Sequence, residues 1–225
     1  MIASFMDADS RTYWKTGYIP PVWGFSPNTI ANSGLTEAMA LVDSVADAGD
    51  IERIPGRFGR FVKAGKGAYG IRYSRDENRM VAFRFHNGVA YDVCVTYGKI
   101  PRRTRGCEYA PRWKPAYVPH PGKILMRWFI EPAWSFQSHF AEACGLSKQM
   151  INYIVKGICR ARMKHGGYHR HHRGGWKLQN PRRRVDLRPT SIPRIAKLTE
   201  TSLLLWTNLQ SLYAHSLCKA PYHHV

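Results

Sequence analysis

Acidic residues are scarce in this chain of 225 residues: 15 Asp and Glu stand against 34 Lys and Arg, a formal net charge of +19. That imbalance disfavours cationic ligands and favours polyanions such as DNA, RNA or an anionic membrane face. Long apolar runs are missing too. No stretch approaches the roughly 20 apolar residues of a membrane-spanning helix, and the first residues lack the charged-then-apolar pattern of a secretion signal. Cysteine is sparse and scattered. Cys94, Cys107, Cys144, Cys159 and Cys218 are odd in number and include no Cys-x-x-Cys pair, which argues against a disulfide framework and a cysteine-based zinc site. A reducing cytoplasm is the expected compartment, nucleic acid the expected partner class, and no membrane association or cofactor is expected.

With 44% hydrophobic residues, the chain has enough apolar material for one large or two small domains. Residues 27–48 carry Leu35, Met39, Val42 and Val45 at helical spacing, with Gly49 as an expected stop. From residue 57 the pattern changes to short runs rich in aromatic and β-branched residues: YGIRYS, MVAFRFH and AYDVCVTY. Asn87-Gly88 between the last two is a strong hairpin signal. Residues 98–119 form a Pro-rich basic connector in which regular structure is not expected. Helical periodicity returns at about residue 120 and lasts to Gly157. Residues 158–193 then read as a long basic loop, and helix resumes from about Ile192 to Leu217. The expected fold is an α+β N-terminal domain (1–97; helix plus a small antiparallel sheet), followed by an all-α helix-turn-helix domain (120–217).

In the second domain, Phe140, Ala141, Cys144, Leu146, Ile151, Ile154 and Val155 trace one apolar face across two short helices. Gly145 falls where a tight turn needs positive φ, and Ser147 suits the N-cap of the second helix. That helix offers Lys148, Gln149, Asn152 and Lys156 away from the apolar face. Gln and Asn pair bidentately with adenine, and Lys contacts guanine or phosphate. With Ser147, these are the candidate DNA-binding residues. The pattern alone fits a plain helical bundle equally well.

The run HPGKILMRWFIEPA…AEACGLSKQMINYIVKG (120–157) resembles the HigA-type antitoxins of the Cro/repressor helix-turn-helix class. It matches their His-Pro-Gly-x-Ile-Leu opening, Glu-Pro step, Ala-x-x-x-Gly and Ser-x-x-x-Ile-Asn-x-Ile-x-x-Gly. RIAKLTETSLLLWTNLQSLY (194–213) is similar to the family's closing helices, including Trp-x-Asn-Leu-Gln at 206–210. The resemblance implies a transcriptional repressor that binds double-stranded operator DNA as a homodimer. One departure is the length of the insertion at 158–193, where the family has a short connection. Either a basic loop is inserted there or the coding sequence has drifted or is read out of frame, and the unusual composition favours the second.

Upstream, MIASF, YWKTG, IERIPG, KGAYGIR and FRFHNGVAYDV (within 1–97) are similar to HigB toxins of the RelE fold. These are metal-independent mRNA endoribonucleases that act on the ribosome. On that resemblance Lys63, Arg72 and Arg79 match family cations that stabilise charge developing on the phosphate. Arg60 stands where the family has a His, and the closing Tyr-His is missing, with Tyr97 one position early. Arginine cannot take over histidine acid–base work. The leading expectation is therefore an antitoxin-type DNA-binding repressor fused to an inactive toxin-like domain, with its halves meeting in cis or in trans. The alternatives are an mRNA endoribonuclease toxin that carries its own antitoxin domain, and a non-functional fusion. His165, His169, His171 and His172 lie in glycine-flanked sequence without a carboxylate, so no metal site is expected there.

Overall fold

The computed structural model describes residues 1–24, 30–58, 61–65, 67–74, 79–101, 108–109, 115, 117–134, 136–157, 187 and 189–217. The four loop histidines, Arg60, most of the 98–119 connector and nearly all of the 158–193 insertion lie outside the described residues. The architecture is mixed α/β, with one sheet and helices on either side of the connector in sequence.

A six-stranded sheet runs in the order β2-β3-β4-β5-β1-β6. Its strands are β1 (Ser4–Phe5), β2 (Val62–Lys63), β3 (Ala68–Arg72), β4 (Arg79–His86), β5 (Val89–Tyr97) and β6 (Glu108–Tyr109). The expected meander is its centre. β3, β4 and β5 are antiparallel neighbours, and Asn87 and Gly88 both take positive φ (49° and 75°), as a tight two-residue hairpin requires. Two neighbours were not expected: the short β1 lies parallel to β5 through Phe5 and Val93, and β6 extends that edge. A bulge in β5 sits where Ala82 faces Cys94 but Arg84 faces Tyr91. Asp92 occupies it at φ 53°. Its carboxylate lies 3.6 Å from Arg84 Nε, while its backbone N–H donates to Ser4 Oγ at 2.9 Å. The bulge thus ties β1 to the meander.

Three helices belong to this half: α1 (Ala8–Thr16), α2 (Ile30–Ser44) and α3 (Ala48–Arg53). Asp7 and Asp47 cap α1 and α3 by accepting from Ser10 N and Asp50 N. Gly49 does not stop a helix, contrary to expectation. α2 already ends at Ser44, and Gly49 lies inside α3, after the Asp47 cap restarts the helix. In α2 the consecutive residues Ala38, Met39, Ala40, Leu41 and Val42 are all fully buried. A helix apolar on every side must be covered on every side. Here β4 and β5 cover one face of α2, and a helix from the C-terminal half covers another.

In that half, α4 (Pro121–Ile124), a π-helical segment (Leu125–Ile130) and α5 (Glu131–Ala133) run head to tail. Pro132 has no N–H to donate to the carbonyl one turn back, and the preceding turn widens so that Glu131 N reaches Met126 O. There follow α6 (Gln137–Ala143), α7 (Lys148–Lys156), α8 (Ile192–Thr199) and α9 (Leu203–Leu217). No helix among the described residues is long and apolar enough to cross a membrane.

The two halves share one continuous apolar core, in which α9 packs along α2. Among the described residues, Glu37, Asp50 and Ser44 accept hydrogen bonds across the seam. The Glu37 carboxylate, 1% exposed, accepts from Arg127 Nη1 at 2.6 Å and from Trp128 Nε1 at 2.9 Å. The fully buried Asp50 accepts from Ser202 N at 2.5 Å and Ser202 Oγ at 2.6 Å, holding the start of α9. Asn208 Nδ2 donates to Ser44 O at 3.0 Å, the carbonyl at the end of α2.

Two outcomes follow from this seam. The full chain unfolds in a single calorimetric transition, because neither half keeps its core without the other; two resolved transitions contradict this. Glu37→Ala lowers stability by about 2–3 kcal/mol, since it strands the buried Trp128 N–H, whereas Glu37→Gln retains an acceptor and costs about 1 kcal/mol or less. The two variants also differ in pH dependence. Burial holds the Glu37 carboxyl above its ordinary range, against the opposing pull of Trp128 and Arg127. Folding thus favours the protonated form, and that contribution is lost as pH rises through the raised value. Across this window wild type loses stability relative to Glu37→Gln in denaturant titrations; parallel curves contradict the assignment.

Candidate nucleic-acid interface

α6 and α7 form a helical hairpin around the turn at 144–147. Gly145 takes φ +62° there, and the Ser147 hydroxyl caps α7 by accepting from Met150 N at 3.1 Å. Both residues do what their sequence positions suggested. Of the expected apolar face, Phe140, Ala141, Cys144, Ile151 and Ile154 are buried, while Leu146 and Val155 pack half-buried at its rim. Burial pushes the Cys144 thiol up to about 11, so it stays protonated and serves as a small packing group.

On the outer side, Lys148, Gln149 and Lys156 are exposed and Asn152 is half-buried. α7 contains no acidic residue, so its amino-terminal dipole and its lysines add to one positive field. Gln149 Nε2 donates to Tyr153 Oη at 2.8 Å, which fixes the amide one turn along the helix. A groove of about 530 Å³ opens between the two helices, lined by Gln137, Ser138, Lys148, Gln149 and Asn152. Sequence reasoning missed Gln137 and Ser138. They belong to the first turn of α6, and only the angle between the helices brings them to this groove. Gln137 Nε2 is buried without a hydrogen-bond partner among the described residues.

α7 is braced at both ends. At its C-terminus Gly157 takes φ +62°, with the His120 ring against it: a Cβ there would meet that ring at 3.3 Å. His120 Nδ1 accepts from Gly122 N at 3.0 Å and so caps α4, while its ring packs edge-on to Tyr213 of α9 at 4.9 Å. Gly122 is pressed so closely onto α7 that a Cβ would lie 1.9 Å from Ile154 O. The His-Pro-Gly opening is thus a three-way joint between α4, the end of α7 and α9. At the other end, Arg194 Nη1 donates to Gly145 O at 2.6 Å.

The three candidate cations of the sheet are not gathered on one face. Lys63 is exposed on β2, paired with Glu52 at 3.0 Å and 5.9 Å from the Tyr69 ring centre; the Glu52 hydrogen bond raises its pKa. Register sets Lys63 opposite Tyr69, Tyr69 opposite Phe83, and Arg79 opposite Tyr97. Strand alternation places all of these on one face. Arg72 pairs with Met80 and so projects from the other face, half-buried, with its Nε enclosed. Arg79 is buried, its guanidinium 5.4 Å from the Tyr97 ring and close to the Tyr73 hydroxyl. Burial raises the Tyr73 pKa, with Arg79 opposing. Tyr97 itself donates to Trp23 O at 2.7 Å.

No family model matches the chain, and no curated protein matches it.

Proposed function

We propose that the chain is a sequence-specific DNA-binding repressor of the antitoxin type, with α7 as its recognition helix and a RelE-like body fused ahead of it. The groove between α6 and α7 carries this reading. It combines base-pairing amides (Gln149, Asn152) and a cation at the N-terminus of the helix (Lys148) on one open face, with Gln137 and Ser138 along its wall. In helix-turn-helix docking the first residues of the second helix reach base edges, and these side chains occupy those positions. Ser147, as the cap, holds the amino end of α7 against phosphate. The net charge of +19 supplies the sequence-independent attraction. A single helix reads only a few base pairs, so a homodimer on a two-fold operator is part of the proposal.

The N-terminal half takes the role of a docking body in this reading. Phosphate-directed chemistry on mRNA would draw on Lys63, Arg72 and Arg79 together, and Arg72 lies across the sheet from the other two. The His and closing Tyr-His positions of the toxin resemblance are also unfilled.

The test is a gel-shift series on full-length protein, with DNA from upstream of its own coding sequence and random DNA as reference. Wild type binds the upstream DNA more tightly, and equal affinity for both sinks the proposal. Asn152→Ala weakens operator binding by about 1–3 kcal/mol while leaving random-DNA affinity unchanged. Lys156→Ala weakens both alike and flattens the salt dependence by about one counterion.

A further inference from the structure

We propose that Arg194 is a positioning residue that sets the angle of α7, so that its loss is felt in sequence discrimination rather than in overall attraction to DNA. The inference rests on the DNA-reading role of α6 and α7.

The turn at 144–147 closes α6 with two backbone bonds, Gly145 N to Glu142 O at 2.9 Å and Leu146 N to Ala141 O at 2.9 Å. These fix the end of α6 but leave the Gly145 carbonyl outside the helix pattern. Arg194 takes that carbonyl from the far side of the 158–186 segment. Its Nη1 donates at 2.6 Å, a short charge-assisted bond. The bond also sets a cation at the carboxyl end of α6, where the helix dipole favours one. The guanidinium is near enough to the turn to act on the Cys144 thiol, opposing the effect of burial. Arg194 is exposed, but its base is anchored, because the next two residues, Ile195 and Ala196, are buried in the core. The arginine is thus a strut from the core to the turn.

The amino end of α7 has few other restraints. Its cap, Ser147, is exposed and bonds within the same helix, and Leu146 is only half-buried. Leu146 and Met150 pack half-buried against the core, and full burial begins at Ile151. Lys148 and Gln149, the residues that reach deepest in helix-turn-helix docking, therefore lie between the turn and the first buried anchor. Base-edge contacts require placement to within about 0.5 Å. Phosphate contacts fix register but carry no sequence information, and flexible lysines tolerate a small tilt. A released turn thus lowers operator affinity and leaves random-DNA affinity in place.

The experiment measures full-length wild type, Arg194→Met and Arg194→Lys on operator and random DNA over a salt series, with thermal unfolding of each. Arg194→Met is expected to lose about tenfold in the operator-to-random ratio, with random-DNA affinity and salt slope unchanged. Arg194→Lys recovers part of the ratio, because an ammonium can donate to the same carbonyl. An unchanged ratio in Arg194→Met overturns the proposal. So does a uniform loss on both DNAs with a shallower salt slope, which would make Arg194 a phosphate contact. Should Arg194→Met fail to fold, Arg194→Lys decides: partial retention of the ratio supports the strut, and an unchanged ratio or a ratio reduced to one overturns it. Absence of discrimination in wild type overturns the DNA-reading role itself, and is seen before any variant is compared.

Discussion

The rest of the structure depends on the burial of α2. Its apolar residues face the sheet on one side and α9 on the other, so neither half has a complete core alone. Apolar packing supplies the attraction, but apolar surfaces slide. The polar contacts fix where the sliding stops. A shift between α2 and the π-helical segment leaves Glu37 buried without Arg127 and Trp128, and a shift of α9 leaves Asp50 without Ser202. Each misplaced docking strands buried polar groups without partners, at a cost greater than the net worth of the correct contact.

That seam reaches the candidate interface through few intermediates. α9 lies against α2, its Tyr213 packs on His120, and the His120 ring packs on Gly157 at the end of α7. Phe129 of the π-helical segment packs on Trp206, 5.0 Å between ring centres, and so joins the Glu37 contact to the same helix. The carboxyl end of α7 is therefore referenced to the N-terminal half, and its amino end to α8 through Arg194. A helix fixed at both ends presents its side chains from a rigid frame.

Local features were legible in the sequence. Ser147, Gly145, the Asn87-Gly88 hairpin and the apolar stripe of α7 each follow from a rule that spans a few residues. What escaped is non-local. β1 is only two residues long and exists because Val93 lies beside it. Gly122 reads as part of a motif, yet its necessity comes from Ile154 O, 32 positions away in sequence. Glu37 looks like an ordinary polar position in a helix until Arg127 and Trp128 arrive. Gln137 joins the interface only through the angle between α6 and α7. Lys63 and Arg72 look like partners in sequence, but their faces are set by how β2 pairs with β3, and this register places them apart.

A net charge of +19 attracts any polyanion, so affinity for nucleic acid says little about what this chain does. Discrimination between sequences is the informative quantity, and charge cannot supply it. It needs amides and lysines held at fixed positions along a groove. Here those groups lie on a nine-residue helix whose first two residues are exposed. Such a helix is too short to hold its own orientation. Its reading power is therefore a property of what surrounds it: the Arg194 strut, the His120 joint and the buried seam behind them. On the proposed reading, the N-terminal half contributes to recognition without touching the nucleic acid, because it completes the core against which α7 is set.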